Sequence, residues 1–275
     1  MAGTLHLVGT PIGNLGDVTR RAKETLARVD LVAAEDTRRA RKLLSHLGIR
    51  AELTTLFEGN ERARTETLLD VLRSGRDVAV ISDAGMPGLS DPGYRLVRGC
   101  ADEGIEVRVV PGPSAAIAAL VVSGLPSDRF VFEGFLPKKE GERRARLEAL
   151  ATERRTIVVF ESPRRVGATL EAVASALGPD RAVAVARELT KVHEEVLRGT
   201  AKELARTAGG EEVRGEVVLV IGGATQGPAP EVSELVEEAT ELIRGGWRKR
   251  EAAAEVARRH DASTNTIYRA LLQER

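Results

Sequence analysis

Short apolar runs alternate with longer amphipathic stretches through the first half of the chain. Thr4–Gly9, Leu31–Ala34, Glu52–Phe57, Val78–Ser82 and Glu106–Val110 predict strands, each a brief apolar or alternating run closed by turn residues. Between them, Val18–Val29, about Arg38–Leu47, the stretch from Asn60 to Ser74, and a stretch through Asp102 carry helical spacing. Asp17 and Asn60 are the expected caps of the first and third helices, and Gly48 stands where a left-handed C-cap favours glycine. Ser114–Val122 is an apolar helix. Repeated alternation predicts a largely parallel sheet covered on both faces, with ligands bound beyond the carboxyl ends of its strands.

A boundary falls near Gly124-Leu125-Pro126. Beyond it Arg129–Phe135, Thr156–Glu161, Ala182–Ala186, Glu194–Gly199 and Glu216–Gly222 predict strands, with helices Arg164–Leu177 and Ala201–Thr207 among them. A polar loop, Pro137–Gly141, leads into a further charged helix. This half is expected to be α/β with a more mixed sheet, because Arg187–Val196 leaves little room for a crossover helix. The expected domains are therefore 1–124 and 125–223, then a linker at 224–231 and a helical domain at 232–275. In that tail, Glu251–Arg259, a turn at His260-Asp-Ala262 and Ser263–Leu272 resemble a helix-turn-helix. A small packing or dimerisation bundle is the alternative, with Trp247 expected to anchor its core.

Composition narrows the classes. The 275 residues are 42% hydrophobic and 30% charged, as in a soluble globular protein. Forty-one basic and 41 acidic residues cancel, so a surface for a polyanion must come from local segregation of charge. The single cysteine, Cys100, excludes an internal disulfide, fits a reducing compartment and reads as a small buried apolar residue. No basic-then-apolar leader is visible, and the longest apolar run, Ala115–Val122, is too short to span a bilayer. No membrane association and a cytoplasmic location are expected.

Three loops at predicted strand ends are rich in small residues. In Ser82–Gly93, three glycines and two prolines fill Gly85–Gly93, so backbone N–H groups can come close to a ligand. Asp83 and Asp91 would repel a phosphate and suit a ligand bearing hydroxyls or a cation. Gly9–Asp17 fails the dinucleotide spacing at Thr10 and Pro11. In Pro111–Ala115, Ser114 can cap the next helix while its hydroxyl faces a ligand. Each alone reads as an ordinary turn; together they would line one cleft.

The runs Gly9–Thr19, Ala34-Glu-Asp-Thr-Arg38, Ser82-Asp-Ala-Gly85, Ser90-Asp-Pro-Gly93 and Pro111-Gly-Pro-Ser114 resemble the tetrapyrrole-methylase superfamily. Phe132–Pro137, Glu161-Ser162, Ala186–Lys191 and Gly215-Glu216 are similar to its ribosomal branch, the small-subunit rRNA cytidine 2′-O-methyltransferases. The resemblance implies two α/β domains with S-adenosylmethionine in the cleft between them, usually a homodimer, acting on 16S ribosomal RNA of the small subunit. By motif, the donor would meet Gly9, Thr10, Pro11, Ile12, Gly13, Asp83, Gly85, Ser114 and Ala115, and from the second domain Phe132, Leu189 and Gly215. Two positions depart from the family: Met86 stands where threonine is usual, and Phe57-Glu-Gly-Asn60 replaces a histidine-containing turn.

Methyl transfer from a sulfonium to an oxygen gains from positioning and from a base that takes the hydroxyl proton. The candidates at motif-bearing loops are Glu35, Glu161, Glu188 and Lys191, with Lys191 or Arg187 able to stabilise a developing oxyanion. Their alternative is a structural ion-pair network across the domain junction. No metal is expected. RNA would meet Arg38, Arg39, Arg41 and Lys42, crowded at a helix start where the macrodipole disfavours cations. Arg143 and Arg144 (with Arg146) form a second cluster and Arg164-Arg165 a third; solvated faces are the alternative. A tetrapyrrole-like small-molecule methylase and a non-catalytic nucleic-acid-binding regulator are the competing functions.

Overall fold

The computed structural model describes residues 1–208, 215–225, 231–260 and 262–273. Residues 226–230 of the predicted linker and Asp261 of the predicted turn lie outside them. The chain forms two compact units, Met1–Ala224 and Thr225–Arg275.

The first unit begins with strands β1 (Leu5–Val8), β2 (Leu31–Ala34), β3 (Leu53–Thr55), β4 (Val78–Ile81) and β5 (Val107–Val110). They form a parallel sheet in the order β3-β2-β4-β1-β5. Every residue of β2 and β4 is buried, which is why both read as unbroken apolar runs. Helices α1 (Arg20–Arg28) and α2 (Thr37–His46) cover one face, and α3 (Glu61–Arg73) and α4 (Tyr94–Asp102) the other. The chain leaving β1 therefore crosses one face and the chain leaving neighbouring β4 crosses the opposite one. Their loops part and open a crevice at the carboxyl ends. Cys100 is fully buried among the α3–α4 contacts, as expected.

Two predicted caps are corrected. Asp17 sits in a single 3-10 turn, Leu15–Asp17, and Thr19 caps α1 by accepting from the Ala22 N–H. Asn60 turns its side chain backwards, accepting from the Phe57 N–H at 2.8 Å and leaving α3 without a side-chain cap. Its carboxamide stabilises the preceding turn instead.

The second sheet, within the same unit, comprises β6 (Phe130–Phe135), β7 (Thr156–Glu161), β8 (Ala182–Arg187), β9 (Glu195–Thr200) and β10 (Val217–Ile221). Its order is β6-β7-β10-β8-β9, and only the β6–β7 pair is parallel. Helices α6 (Glu140–Ala149), α7 (Val166–Leu177) and α8 (Ala201–Ala208) bury one face. The other is covered by α5 (Ala115–Ser123), the helix that ends the first half of the sequence. Its Ala116, Ala119 and Leu120 pack on Val158, Ala184, Ala186, Val218 and Val220. Arg198 of β9 donates from Nε to the Ser123 carbonyl at 2.9 Å, satisfying the helix end.

The second unit holds α9 (Val232–Arg244), α10 (Lys249–His260) and α11 (Thr264–Gln273) around a small core that includes Leu235, Val256, Ile267 and Leu271. Trp247 does not anchor that core: it is 45% exposed. Arg258 and Arg259 are held by Glu255 and Glu238. Among the described residues, no helix is long and apolar enough to cross a membrane.

Candidate active site

The glycines at the carboxyl ends of β1 and β5 allow their loops to touch. A Cβ on Gly9 would lie 2.7 Å from the Gly112 Cα and 2.8 Å from the Met86 sulfur, so the contact requires bare backbone. One residue on, Thr10 and Gly85 exchange backbone hydrogen bonds of 2.9 and 3.1 Å. The Thr10 hydroxyl also donates to the Ser82 carbonyl at 3.2 Å. The three loops singled out in the sequence are thus tied into one floor. Gly85 itself has φ of 84°, a conformation that glycine adopts without cost. Ser114 stands at the N-cap of α5 but its side chain makes no cap bond, contrary to expectation.

The second sheet supplies the facing wall. Leu189, Gly215, Glu216, Phe135 and Phe160 enclose, with the floor, a cavity of about 370 Å³, a size usual for small-molecule sites. Of the predicted donor residues, Ile12, Asp83, Gly85, Ser114, Ala115, Leu189 and Gly215 line it. Gly9, Thr10, Pro11, Gly13 and Phe132 do not. Gly13 instead meets the 189–191 loop, where a Cβ would come within 2.8 Å of the Leu189 carbonyl. Phe132 backs the wall, its ring edge-on to Phe160 with centroids 5.0 Å apart. Met86 lines the cavity, whereas none of Phe57–Asn60 does.

The four predicted catalytic groups fare differently. Glu161 is buried, accepting from the Thr169 hydroxyl at 2.6 Å and the Ser162 N–H at 2.7 Å, with Arg165 3.4 Å away. Its carboxylate is an anchor for β7 and α7. Glu188 accepts from Lys191 Nζ at 2.8 Å and from the Glu216 N–H at 3.0 Å. The Lys191 bond in particular holds its carboxyl below the usual range. Lys191 also reaches Glu216 at 3.2 Å; burial works against its charge, but the two carboxylates prevail and raise its pKa. Glu188 and Lys191 therefore neutralise each other in an ion-pair network confined to the second half of the unit. Glu35 differs: burial, then the nearby Asp83 carboxylate, raises its pKa against the pull of Arg39.

Sequence reasoning read Asp91, with Asp83, as suited to a ligand bearing hydroxyls or a cation, but did not place it among the catalytic or donor-binding residues. It lines the cavity, and burial, reinforced by Glu35, pushes its carboxyl up to about 6. The neighbouring Ser90 has φ of 63°, rare for a residue with a side chain. Phe135, Phe160 and Leu89 were missed as well; their apolar character alone carries no positional signal.

The basic residues separate into inward and outward sets. Arg39 lines the cavity, 3.4 Å from Asp83, and Arg38 is paired at 2.7 Å with Asp36, the cap of α2. That pairing holds the Asp36 carboxyl well below the usual range. Arg143 is corrected: it is buried, with one guanidinium nitrogen donating to the Lys138 carbonyl at 3.4 Å. Arg165 likewise turns inward, donating to the Leu136 and Pro137 carbonyls at 3.2 and 2.9 Å. Arg144 is spanned by Glu148 at 2.8 Å. Arg41, Lys42 and Arg164 are exposed and have no ion pair among the described residues. No cluster of His, Cys, Asp and Glu among the described residues could hold a metal ion.

A cleft floored by glycine loops of a parallel sheet and walled by a mixed second sheet defines a class. The chain belongs to the tetrapyrrole (corrin/porphyrin) methylases, whose family model matches residues 4–205. The same fold occurs in uroporphyrin-III-C-methyltransferase from Thermus thermophilus, with a TM-score of 0.59 at 24% identity over 81% of this chain and 95% of that one. Diphthine synthase gives 0.63 at 13% identity over 81% and 91%. More particularly, the chain is 49% identical over its whole length to ribosomal RNA small subunit methyltransferase I of Mycobacterium tuberculosis (strain CDC 1551 / Oshkosh), covering 96% of that protein. It is 44% identical to the protein of the same name from Escherichia coli O157:H7, over 99% of this chain and 96% of that one.

Proposed function

We propose that the protein methylates the ribose 2′-oxygen of a cytidine in 16S ribosomal RNA of the small subunit, with S-adenosylmethionine as donor. The observation that carries this is the full-length similarity to the proteins named ribosomal RNA small subunit methyltransferase I, tail included. The small-molecule methylases share the fold at lower identity and over about four fifths of the chain. The cavity fits the donor. Gly85, Ala84, Ala115 and Gly215 leave room beside backbone, and Asp83 suits its cationic and hydroxyl groups while repelling phosphate.

When bound, the donor supplies an activated methyl group. The chain's own residues then position and exclude water. Ile12, Leu189 and Phe160 give the cavity apolar walls, and Arg39, fixed by Asp83, sets a cation at its rim. Orientation of this kind accounts for large rate gains in displacement reactions. Arg41, Lys42 and Arg164 are the exposed cations that we assign to RNA phosphates, the contacts that dominate nucleic-acid affinity. The protein acts in the cytoplasm, where ribosomal subunits are made. A homodimer accords with the exposed apolar side chains of β5 and α5.

The test is to incubate the protein and donor labelled in its methyl group with small subunits lacking the modification. Label should enter one ribose of the 16S RNA, mapped by nuclease digestion and mass spectrometry. Label in a base, or none in RNA, would overturn the reading.

A further inference from the structure

We propose that Asp91 is the catalytic base that takes the proton of the acceptor hydroxyl; this rests on the methyltransferase reading above. Its placement is the first reason. Asp91 lines the cavity beside Leu89, and the strained Ser90 immediately before it fixes the direction of the loop. Ser90 lies against β6 at the irregularity between Phe132 and Gly134, where a Cβ on Gly134 would fall 2.9 Å from the Ser90 hydroxyl. The turn is thus held across the cleft by the second sheet, and strain of this kind persists where the surroundings over-determine it.

The second reason is that the other carboxylates of the cavity are engaged. Asp83 accepts from the Asp36 N–H at 3.1 Å and faces Arg39 at 3.4 Å. Glu161 is committed to Thr169, Ser162 and Arg165, and Glu216 to Lys191. Asp91 has no ion pair among the described residues. Arg39, on α2, is the cation on the cavity wall among the described residues, and it is bound to Asp83. Towards Asp91 face Glu35 from the end of β2 and Asp83 from the end of β4, while the Ser82 hydroxyl opposes them. Burial, reinforced by these carboxylates, makes the acid keep its proton to unusually high pH, which suits a base working near neutrality.

The step balances without another reactant. The hydroxyl O–H bond breaks and its proton passes to an Asp91 oxygen as the new O–CH₃ bond forms. The S–CH₃ electron pair stays on sulfur, leaving a neutral thioether, and Asp91 afterwards gives its proton to water.

Asp91→Asn and Asp91→Glu decide the matter. With small subunits as acceptor, Asp91→Asn should lower kcat by about 100-fold or more while KM for subunits changes by no more than about twofold. Donor affinity measured by calorimetry should stay within about twofold of wild type. Wild-type kcat/KM should fall tenfold per pH unit below about 6, a limb absent from Asp91→Asn and partly restored in Asp91→Glu. In the protein alone, carbon-13 spectra should show a carboxyl titrating near that pH which Asp91→Asn removes. An unchanged kcat and acid limb in Asp91→Asn would overturn the proposal, as would the absence of that titrating carboxyl. A loss of donor affinity equal to the loss of rate would make Asp91 a holder of the donor's cation and overturn it too. If wild type itself transferred no label to RNA, the methyltransferase reading would fall, whereas the spectra address Asp91 independently of activity.

Discussion

A carboxyl that binds its proton more tightly in the folded chain than in the unfolded one works against folding once it ionises. Asp91, raised from 3.8 to about 6, is such a group, and Glu35 is shifted in the same direction. The sign is fixed by proton counts. Between the two pKa values the folded state holds more protons, so stability declines as pH rises from about 4 to about 6 and stays lower above. Asp91→Asn should therefore melt higher than wild type at pH 7.5 and coincide with it near pH 3.5. At about 1.4 kcal/mol for each pH unit, reduced for partial exposure to water, the gap should approach roughly 2 kcal/mol. Calorimetric melting across that range measures it, and parallel curves would show that Asp91 ionises without strain. Glu188 presents the opposite case: the Lys191 ammonium and a backbone N–H favour its anion, so its contribution is lost on acidification through its lowered pKa.

At the scale of elements, the floor of the cavity depends on the contact of the β1 and β5 loops. Gly9→Ala would push a methyl group to 2.7 Å from the Gly112 backbone; the β1 end cannot retreat without disturbing the Thr10–Gly85 pair, nor the β5 end without stretching the 3.0 Å bond from the Gly9 N–H to the Val110 carbonyl. We expect a loss of roughly 2–3 kcal/mol in stability and at least a tenfold weaker donor, read by melting and calorimetry. Gly48→Ala is the control: φ is 72° but the space around it is open. It should cost about 1 kcal/mol through backbone strain alone and leave donor binding unchanged. Equal donor affinity in both variants would detach the glycine contact from the site. These loops were legible in the sequence because glycine and proline announce backbone geometry locally. Leu31–Ala34 was legible to the residue because its buried run ends where polar residues begin. What escaped depends on distant neighbours. Nothing near Arg143 in sequence tells that its helix will roll it under the Lys138 carbonyl. Nor could the pattern around Asp91 reveal Glu35, which arrives from the end of another strand. Asp17 was misread because a 3-10 turn intervenes before the true cap, Thr19.

At the scale of the whole molecule, β5 is an edge strand of its sheet and exposes Val109, 55% accessible. Ile117 and Val121, one turn apart on α5, are 46% and 64% accessible. Natural proteins protect such edges, and pairing two copies is one way to do so. The double substitution Ile117→Glu, Val121→Glu should convert a dimer into single chains in sedimentation without changing the circular dichroism spectrum. A wild-type protein that already sediments as one chain would refute the pairing.

The position of α5 also has a consequence for the chain as it is made. The strands of the first sheet, residues 5–110, leave the ribosome together with all four helices that cover them. They can fold as they emerge. The next helix is apolar on the face that belongs to the second sheet, and one of the strands it packs against, β10, is completed only at Ile221. Until β10, the central strand of that sheet, is made some hundred residues later, the face is only partly covered. The growing chain therefore passes through a period in which its most adhesive helix lacks the middle of its packing surface. Slow translation between Gly124 and Ile221 would lengthen that exposure and with it the risk of aggregation.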